Sequence, residues 1–402
     1  MERAISALGV LVFIGISYAL SVNRRAVRWR TIAWGLGLEF SFALLILRTP
    51  WGLSVFKSLG DVVTKFMSYS DVGAKFVFGD KFTDHFFAFQ LLPTIIFFSA
   101  FISVMYHYGI LQFVVNKMAW VMMKTMKTSG AESLSTAGNI FLGPTESPLL
   151  VKPFVANMTQ SELFAVMTGG FATVAGGVLG AYLSFGLPPE HLIAAFFMTA
   201  PTALIVSKLI YPETEVPETM GKGKMEIKST YTNAIDAATT GAIDGMRMAV
   251  NVGVVILAFL SLLAVVNGIF GWFGVRIGLP QLSLEWILSF FMAPIAFLMG
   301  VPLQDCMQVG ALLGKKTILN EFLAYLDLKT LIEKKQISQR AIIIATYALC
   351  NFANIGSIGI TIGGIAGMVP SRQQDLARMG VKSMIGGLLA GFITAAIAGM
   401  LI

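Results

Sequence analysis

Two acidic residues follow breaks in long apolar stretches, one in each half of the chain. Glu146 comes after the run 141–145 (FLGPT), and Asp305 comes after the run 297–304 (FLMGVPLQ). Each stretch passes from apolar residues through Gly and Pro to a polar residue and then to the acid. Carboxylates accept hydrogen bonds from hydroxyl and amide groups, so such a pair could hold a polar organic solute. The alternative is that each acid only caps a half-helix by accepting from its free N–H groups.

Four neutral side chains could supply further ligands near these breaks. Asn354 and Ser357 are three residues apart and share one helix face, although such pairs also join helices inside membranes. Asn139 precedes the first break, and Thr173 lies in the Gly-rich segment after it. Side-chain oxygens, together with carbonyls freed by a helix break, suit a hard monovalent cation. Alternatively, the Thr173 hydroxyl bonds back to its own helix.

Two other acids in apolar surroundings are interpreted as structural. Glu321 would pair with Lys315 or Lys316 inside the second arm of a hairpin, and Glu39 would be a buried packing acid within a helix. Neither is predicted to be a ligand.

The composition identifies a membrane protein. Among 402 residues, 56% are apolar and 13% are charged, compared with about 25% charged in soluble domains. With only two cysteines, Cys306 and Cys350, a disulfide scaffold is excluded, and the three scattered histidines argue against a zinc or haem site. The net charge of +7 is explained by positive cytoplasmic loops rather than by nucleic-acid binding, so the expected partner is a lipid bilayer.

Hydrophobic runs predict eight transmembrane spans. They cover residues 4–22, 31–47, 91–106, 161–185, 192–211, 246–273, 341–368 and 384–402. The amphipathic stretches 49–90 and 110–127 are predicted to lie on the membrane surface. Four arginines within residues 23–30 place that connection in the cytoplasm, so the N-terminus of this multi-pass protein would face outside the cytoplasmic (inner) membrane. The basic flank follows the first run, so the run is interpreted as a span and not as a signal peptide.

The chain also predicts an internal duplication. Scaffold residues 1–90 would precede a first repeat at 91–211, a hydrophilic loop at 212–240 and a second repeat at 241–402. Each repeat contains a Pro-broken segment, and broken backbone cannot face lipid. We therefore expect two re-entrant helical hairpins, with tips near 143–146 and 300–305, in repeats of opposite topology. Paired broken segments of this kind are the best sequence indication of a transporter binding site.

Three motifs resemble the concentrative nucleoside transporter family over nearly the whole chain. They are residues 143–149 (GPTESPL), 314–325 (GKKTILNEFLAY) and 352–358 (FANIGSI). The resemblance implies an all-α polytopic fold with eight spans and two re-entrant hairpins in inverted repeats, and it also implies a homotrimer. It further implies an elevator-like movement of the hairpin domain against a rigid scaffold.

The resemblance also implies a role for individual residues. The nucleobase would be held by Thr145 and Glu146 and faced by Val178, the ribose would be held by Asp305, Asn354 and Ser357, and Phe352 would line the site. Sodium would be bound by Asn139 and Thr173 with the backbone carbonyls of Leu142 and Val174. This chain differs from many bacterial members by Pro144 in place of Gln, Asp305 in place of Glu and Thr173 in place of Ser. Because Pro144 can neither donate nor accept toward the base, the preferred base is not assigned.

The expected function is secondary active import of nucleosides by sodium symport, without an enzymatic step and without a cofactor other than the coupling ion. Proton coupling through Glu146 or Asp305 is the alternative, and the oxygen donors at Asn139 and Thr173 favour sodium. The substrate could also be a nucleobase or a modified nucleoside. An intramembrane enzyme would need a nucleophile–base pair at the site, and a channel would show flux without accumulation.

Overall fold

The computed structural model describes residues 1–84, 86–221 and 231–402, and within those ranges it contains helices and no β-strand. The central part of the predicted hydrophilic loop, 222–230, lies outside the described residues. The first repeat and the helices before it contain α1 (Glu2–Ala19), α2 (Trp29–Arg48), α3 (Pro50–Met67), α4 (Ser70–Phe78), α5 (Leu92–His107), α6 (Ile110–Met126), α7 (Gly130–Gly138), α8 (Lys152–Val155), α9 (Gln160–Ala172), α10 (Leu179–Leu183) and α11 (Pro189–Ile210). The remaining helices are α12 (Ala234–Arg276), α13 (Leu284–Leu298), α14 (Cys306–Ile318), α15 (Glu321–Glu333), α16 (Gln339–Leu349), α17 (Ile355–Met368) and α18 (Gln373–Leu401).

Within the described residues, six helices are long and apolar enough to cross a membrane: α1, α2, α5 with the turn before it, α11, α12 and α18. The other two predicted spans, 161–185 and 341–368, are each broken into two helices, α9–α10 and α16–α17. The predicted all-α polytopic membrane fold is therefore confirmed. The two stretches predicted to lie on the membrane surface form α3 and α4 and, separately, α6.

A central bundle is distinguished from a peripheral helix pair by burial. Nearly all of α11 and α18 is buried, whereas only 12% of the apolar stretch of α12 is buried. The long α12 packs along α5, and their backbones approach closely where Gly245 faces Ser99 and Gly241 faces Ser103. Small residues four apart permit this close packing of membrane helices. The α5–α12 pair therefore forms one unit beside the bundle.

The order of elements is repeated in the two halves of the chain. A span (α5 or α12) is followed by a single helix (α6 or α13), a helical hairpin (α7–α8 or α14–α15), a broken span (α9–α10 or α16–α17) and a long span (α11 or α18). In the first hairpin the chain turns between Asn139 and Glu146. In the second hairpin α14 ends at Ile318, and Asn320 caps the start of α15 by accepting a hydrogen bond from the N–H of Leu323 at 2.9 Å.

The predicted second tip near 300–305 is wrong, because these residues form the connection between α13 and α14. Gly300, with a φ of 86°, turns the chain there, and its carbonyl accepts a hydrogen bond from Arg340 at 2.9 Å. Arg340 also pairs with Glu2 at 3.1 Å and donates to the carbonyl of Ile402. Residues 300–305 therefore lie at the base of the second hairpin, beside the two chain ends.

The bases of the two hairpins lie at opposite ends of the bundle. The base of the second lies beside Glu2, at the first residue of α1. The base of the first lies beside Arg28 and Lys208, in the connection that follows α1 and at the end of α11. Because α1 crosses the whole bundle, the two hairpins enter it from opposite ends, as inverted repeats require.

Candidate substrate and cation sites

Two capping boxes fix the base of the first hairpin. Ser129 caps α7 and Thr159 caps α9, and each box is closed by a glutamate in the first turn, Glu132 or Glu162. The boxes are cross-linked, since the Ser129 hydroxyl donates to Glu162 at 2.6 Å. The buried ammonium of Lys208 pairs with Glu132 at 2.5 Å. This network holds α7 and α9 together at their N-terminal ends, so that both helices run from the base toward the tip.

The C-terminal ends of α7 and α9 consequently meet inside the bundle, where the predicted cation ligands lie. Asn139 caps α7 and is fully buried, and Thr173 caps α9. A side chain added at Gly169 would meet the Asn139 amide at 3.2 Å, and the Thr173 hydroxyl donates to the carbonyl of Gly169 at 2.9 Å. Each helix C-terminus carries about half a negative charge, so two of them together attract a cation.

The residues at this point fit a sodium ion. Both polar atoms of the Asn139 amide are buried and have no hydrogen-bonding partner in the described part of the chain. The Thr173 hydroxyl does bond back to its helix, but donation leaves its oxygen lone pairs free to coordinate. Leu142 and Val174, whose carbonyls were predicted to complete the site, lie three residues beyond the Asn139 cap and one residue beyond the Thr173 cap. The structure therefore brings the two predicted side-chain ligands, Asn139 and Thr173, to one region.

The tip of the first hairpin carries Thr145 and Glu146. One oxygen of the half-buried Glu146 carboxylate accepts from the N–H of Gly143 at 3.2 Å, which fixes the acid across the turn. Thr145 lies against α17, where a side chain added at Gly364 would meet its methyl carbon at 2.6 Å. The Glu146 carboxylate can accept further hydrogen bonds besides the one from Gly143, as recognition of a nucleobase would require. Val178 is buried at the break between α9 and α10.

The break between α16 and α17 brings together Phe352, Asn354 and Ser357. The N–H of Phe352 donates to the carbonyl of Thr173 at 3.1 Å, so this break contacts the predicted cation site directly. Asn354 caps α17, and its side-chain oxygen accepts from the N–H of Ser357 at 2.9 Å. The cap leaves the Ser357 hydroxyl buried and without a partner among the described residues. Asn354 thus has a structural role, and Ser357 has a free polar group.

The structure does not bring Asp305 to this group. The Asp305 carboxylate accepts from the Ser338 hydroxyl at 2.5 Å and from the Ser338 N–H at 3.3 Å. Asp305 precedes α14 and Ser338 caps α16, so this contact ties a hairpin arm to the following broken span at their N-terminal ends. It is the counterpart of the Ser129–Glu162 contact in the first repeat. Asp305 therefore has a structural contact, but its side chain forms no cap hydrogen bond to α14, so it does not cap its own helix as the alternative interpretation expected.

The acid that the structure brings to Asn354 is Glu321, at the start of α15. Its carboxylate accepts from the Tyr182 hydroxyl at 2.9 Å and lies beside the Asn354 side chain and the Lys316 ammonium. Its second oxygen is buried and has no hydrogen-bonding partner within the described ranges. Lys316 donates to the carbonyl of Ala348 at 2.7 Å. Sequence reasoning treated Glu321 as structural, although an Asn cap before an acid marks a helix start and could have located the tip.

Matches to known family descriptions cover most of the chain. "Na+ dependent nucleoside transporter C-terminus" matches residues 191–399, "Na+ dependent nucleoside transporter N-terminus" matches residues 8–81, and "Nucleoside recognition" matches residues 88–188. Human solute carrier family 28 member 3 is 45% identical over the whole chain, and so is mouse sodium/nucleoside cotransporter 1. The chain spans 60% and 64% of the lengths of these two relatives.

Solved structures of the bacterial transporter CNTnw are also similar. Its inward-facing substrate-bound state matches with a TM-score of 0.93, at 38% identity, over 100% of this chain and 98% of that one. A variant of CNTnw in an outward-facing state matches with a TM-score of 0.95, at 38% identity, over 100% and 99% of the two chains.

Proposed function

The chain belongs to the Na+ dependent nucleoside transporter family, and from this premise we propose that it imports nucleosides together with sodium. The observation that carries the proposal is that both hairpin tips reach the same broken span. Thr145 contacts α17 at Gly364, and Glu321 lies beside Asn354 at the start of α17. Polar groups from two hairpins and one helix start can then enclose a single polar solute inside the bilayer.

In the proposed complex, the two hairpin tips contact different parts of the nucleoside. Glu321, Asn354 and Ser357 hold the ribose, because a carboxylate accepts from sugar hydroxyls in charge-assisted hydrogen bonds. Thr145 and Glu146 hold the base, with Glu146 accepting from its N–H groups. Glu321 takes the ribose role that sequence reasoning gave to Asp305. Val178 and Phe352 supply apolar contacts to the base and to the wall of the site.

Sodium is bound at the meeting point of α7 and α9, by Asn139, Thr173 and the carbonyls of Leu142 and Val174. The Phe352–Thr173 hydrogen bond joins this point to the nucleoside site, so that each ligand favours binding of the other. One sodium ion moving down about 100 mV gains about 2.3 kcal/mol. A tenfold gradient adds about 1.4 kcal/mol, so one ion supports accumulation on the order of several hundredfold.

Alternating access is proposed to occur by an elevator movement. The bundle that contains both hairpins would slide against the peripheral α5–α12 pair, which carries none of the proposed ligands. Solved inward-facing, intermediate and outward-facing states of CNTnw support this proposal. We propose that the homotrimer implied by the resemblance forms through the apolar face of α12, which is exposed in the single chain, as at Leu257 with 74% exposure.

The orientation in the cytoplasmic (inner) membrane follows from the distribution of basic residues. Arg28, Lys127 and Lys208 gather at one end of the bundle, close to the arginine-rich connection after α1. The positive-inside rule places that end in the cytoplasm. The N-terminus, one span away, then lies outside.

Uptake of radiolabelled uridine and adenosine into proteoliposomes tests this function, with sodium and pH gradients imposed separately. We expect accumulation driven by an inward sodium gradient and competition by ribosides. Accumulation driven by a pH gradient alone would show that the coupling ion is the proton and not sodium. Competition by free bases alone would show that the substrate is a nucleobase and not a nucleoside. Equilibration without accumulation would indicate a channel, and a hydrolysed product would indicate an enzyme.

A further inference from the structure

One polar side chain of α17 is used by neither proposed site. Thr361 is fully buried, and its hydroxyl has no hydrogen-bonding partner in the part of the chain that the structure describes. This is unusual, because nine threonines in the described helices donate to the carbonyl four residues earlier. A threonine that gives up this local bond leaves a buried hydroxyl unpaired, which is unfavourable unless another group binds it.

Thr361 lies on the one face of α17 that is buried. The buried residues of this helix are Ser357, Thr361 and Ile365, and the others are at least partly exposed. With about 3.6 residues per turn, these three and Gly364 fall within about 100° of each other. Thr361 therefore shares the face that carries Ser357 at one end and contacts Thr145, through Gly364, at the other.

Its position along α17 places Thr361 toward the end of the site that is proposed to hold the nucleobase. At about 1.5 Å per residue it lies about 6 Å beyond Ser357 and about 4.5 Å before Gly364. Ser357 is on the side of Glu321, and Gly364 is on the side of the first hairpin tip. Beside that tip, Pro144 packs against Gly170 and its side chain can form no hydrogen bond.

We propose that the Thr361 hydroxyl is a further substrate-binding group, which hydrogen-bonds to the base of the bound nucleoside between Ser357 and the tip at Thr145. The proposal rests on the proposed nucleoside transport and assigns one more specificity-determining contact to it. A hydroxyl can both donate and accept, so this contact serves carbonyl and amino groups on the base edge alike.

Thr361→Val tests the proposal, because valine keeps the shape and removes the hydroxyl. We expect the KM for the preferred nucleoside to rise about tenfold, the size of one lost hydrogen bond. The ratio of KM values for a nucleoside and its 2′-deoxy analogue should stay unchanged, because the lost contact is to the base. Thr361→Ser should restore the wild-type KM.

Thr168→Val is the matched control. Thr168 is equally buried and its hydroxyl is also unpartnered within the described residues, but it packs against Gly386 of α18. We expect no change in KM in this variant. An equal effect of both valine variants, or an unchanged KM in Thr361→Val, overturns the assignment.

A second measurement tests binding directly and shows whether the valine variant folds. A nucleoside that binds the folded protein raises its thermal unfolding midpoint, and a weaker affinity raises it less. At one fixed nucleoside concentration in detergent, Thr361→Val should be stabilised less than the wild type, although both unfold at similar temperatures without nucleoside. Equal stabilisation of the two proteins by nucleoside overturns the proposal. Failure of the wild-type protein to take up any nucleoside would refute the proposed function instead, whatever the variants show.

Discussion

Replacing Glu321 with Gln distinguishes the acid that the structure brings to the candidate site from the acid expected there from the sequence. The substitution keeps the size of the side chain and its capacity to accept from Tyr182 but removes the negative charge. Glu321 is only 5% exposed, so solvent does not screen the change. A hydrogen bond to a charged group contributes about 1.5–3 kcal/mol, so we expect the nucleoside KM to rise about 10- to 150-fold.

The assay is uridine uptake at saturating sodium in proteoliposomes, with Asp305→Asn as the matched control. The Asp305 carboxylate is already occupied by Ser338 at the hairpin base, so its amide variant should change KM less than about twofold. Binding of sodium in the absence of nucleoside should be unchanged in Glu321→Gln. A large loss of affinity in Asp305→Asn, with wild-type affinity in Glu321→Gln, would refute the reasoning and restore the acid predicted from the sequence.

Three further substitutions test other parts of the structure. Asn139→Ala should abolish the sodium dependence of uptake, measured as uptake against sodium concentration, and unchanged sodium-driven uptake would reject the cation site. Gly364→Ala should slow uptake at least tenfold, because the new Cβ would meet Thr145 at 2.6 Å, whereas Gly363→Ala, with open space around it, should match wild type. Lys208→Met should lower stability by about 3–5 kcal/mol by leaving its carboxylate partners without a buried cation. Thermal unfolding in detergent checks this last expectation, and an unchanged midpoint would contradict it.

The sequence was sufficient to predict the first hairpin and the proximity of Asn139 and Thr173. Pro144 and Gly143 break an apolar run, and a broken backbone within the membrane can only be placed against protein or a cavity. Asn139 and Thr173 stand next to the two breaks in the first repeat, so their convergence followed from the assumption of a hairpin and a broken span. The roles of these residues remain proposals, but the structure does place them together.

The second tip lacks the Gly and Pro that mark the first, and its sequence signal is the weaker one of an Asn cap before an acid. The chain reverses at Leu319 and Asn320, with neither Gly nor Pro, and the Asn320 side chain supplies the cap. By contrast, residues 300–305 contain Gly, Pro and an acid but form a connection beside the chain ends. The composition around a helix break does not distinguish the base of a hairpin from its tip, since an acid is found at a helix start in both places. Locating the second tip required knowing which helix each acid begins. The sequence of α13 is apolar, and apolar character alone did not distinguish this helix from a hairpin arm.

The two repeats differ at the point where a broken helix ends inside the bundle, and this difference explains why we place sodium in only one of them. In the first repeat the end of α9 meets the amide of Asn139, which has no hydrogen-bonding partner within residues 1–84, 86–221 and 231–402. In the second, the end of α16 already has a cation, because the buried ammonium of Lys316 donates to the carbonyl of Ala348. A tethered charge at a helix C-terminus satisfies the same carbonyls and the same dipole that would otherwise attract an ion. It also lies beside Glu321, and so balances the acid that is proposed to hold the sugar. A second sodium at that position would have to displace a buried lysine, so the arrangement supports our proposal of a single sodium site, in the first repeat.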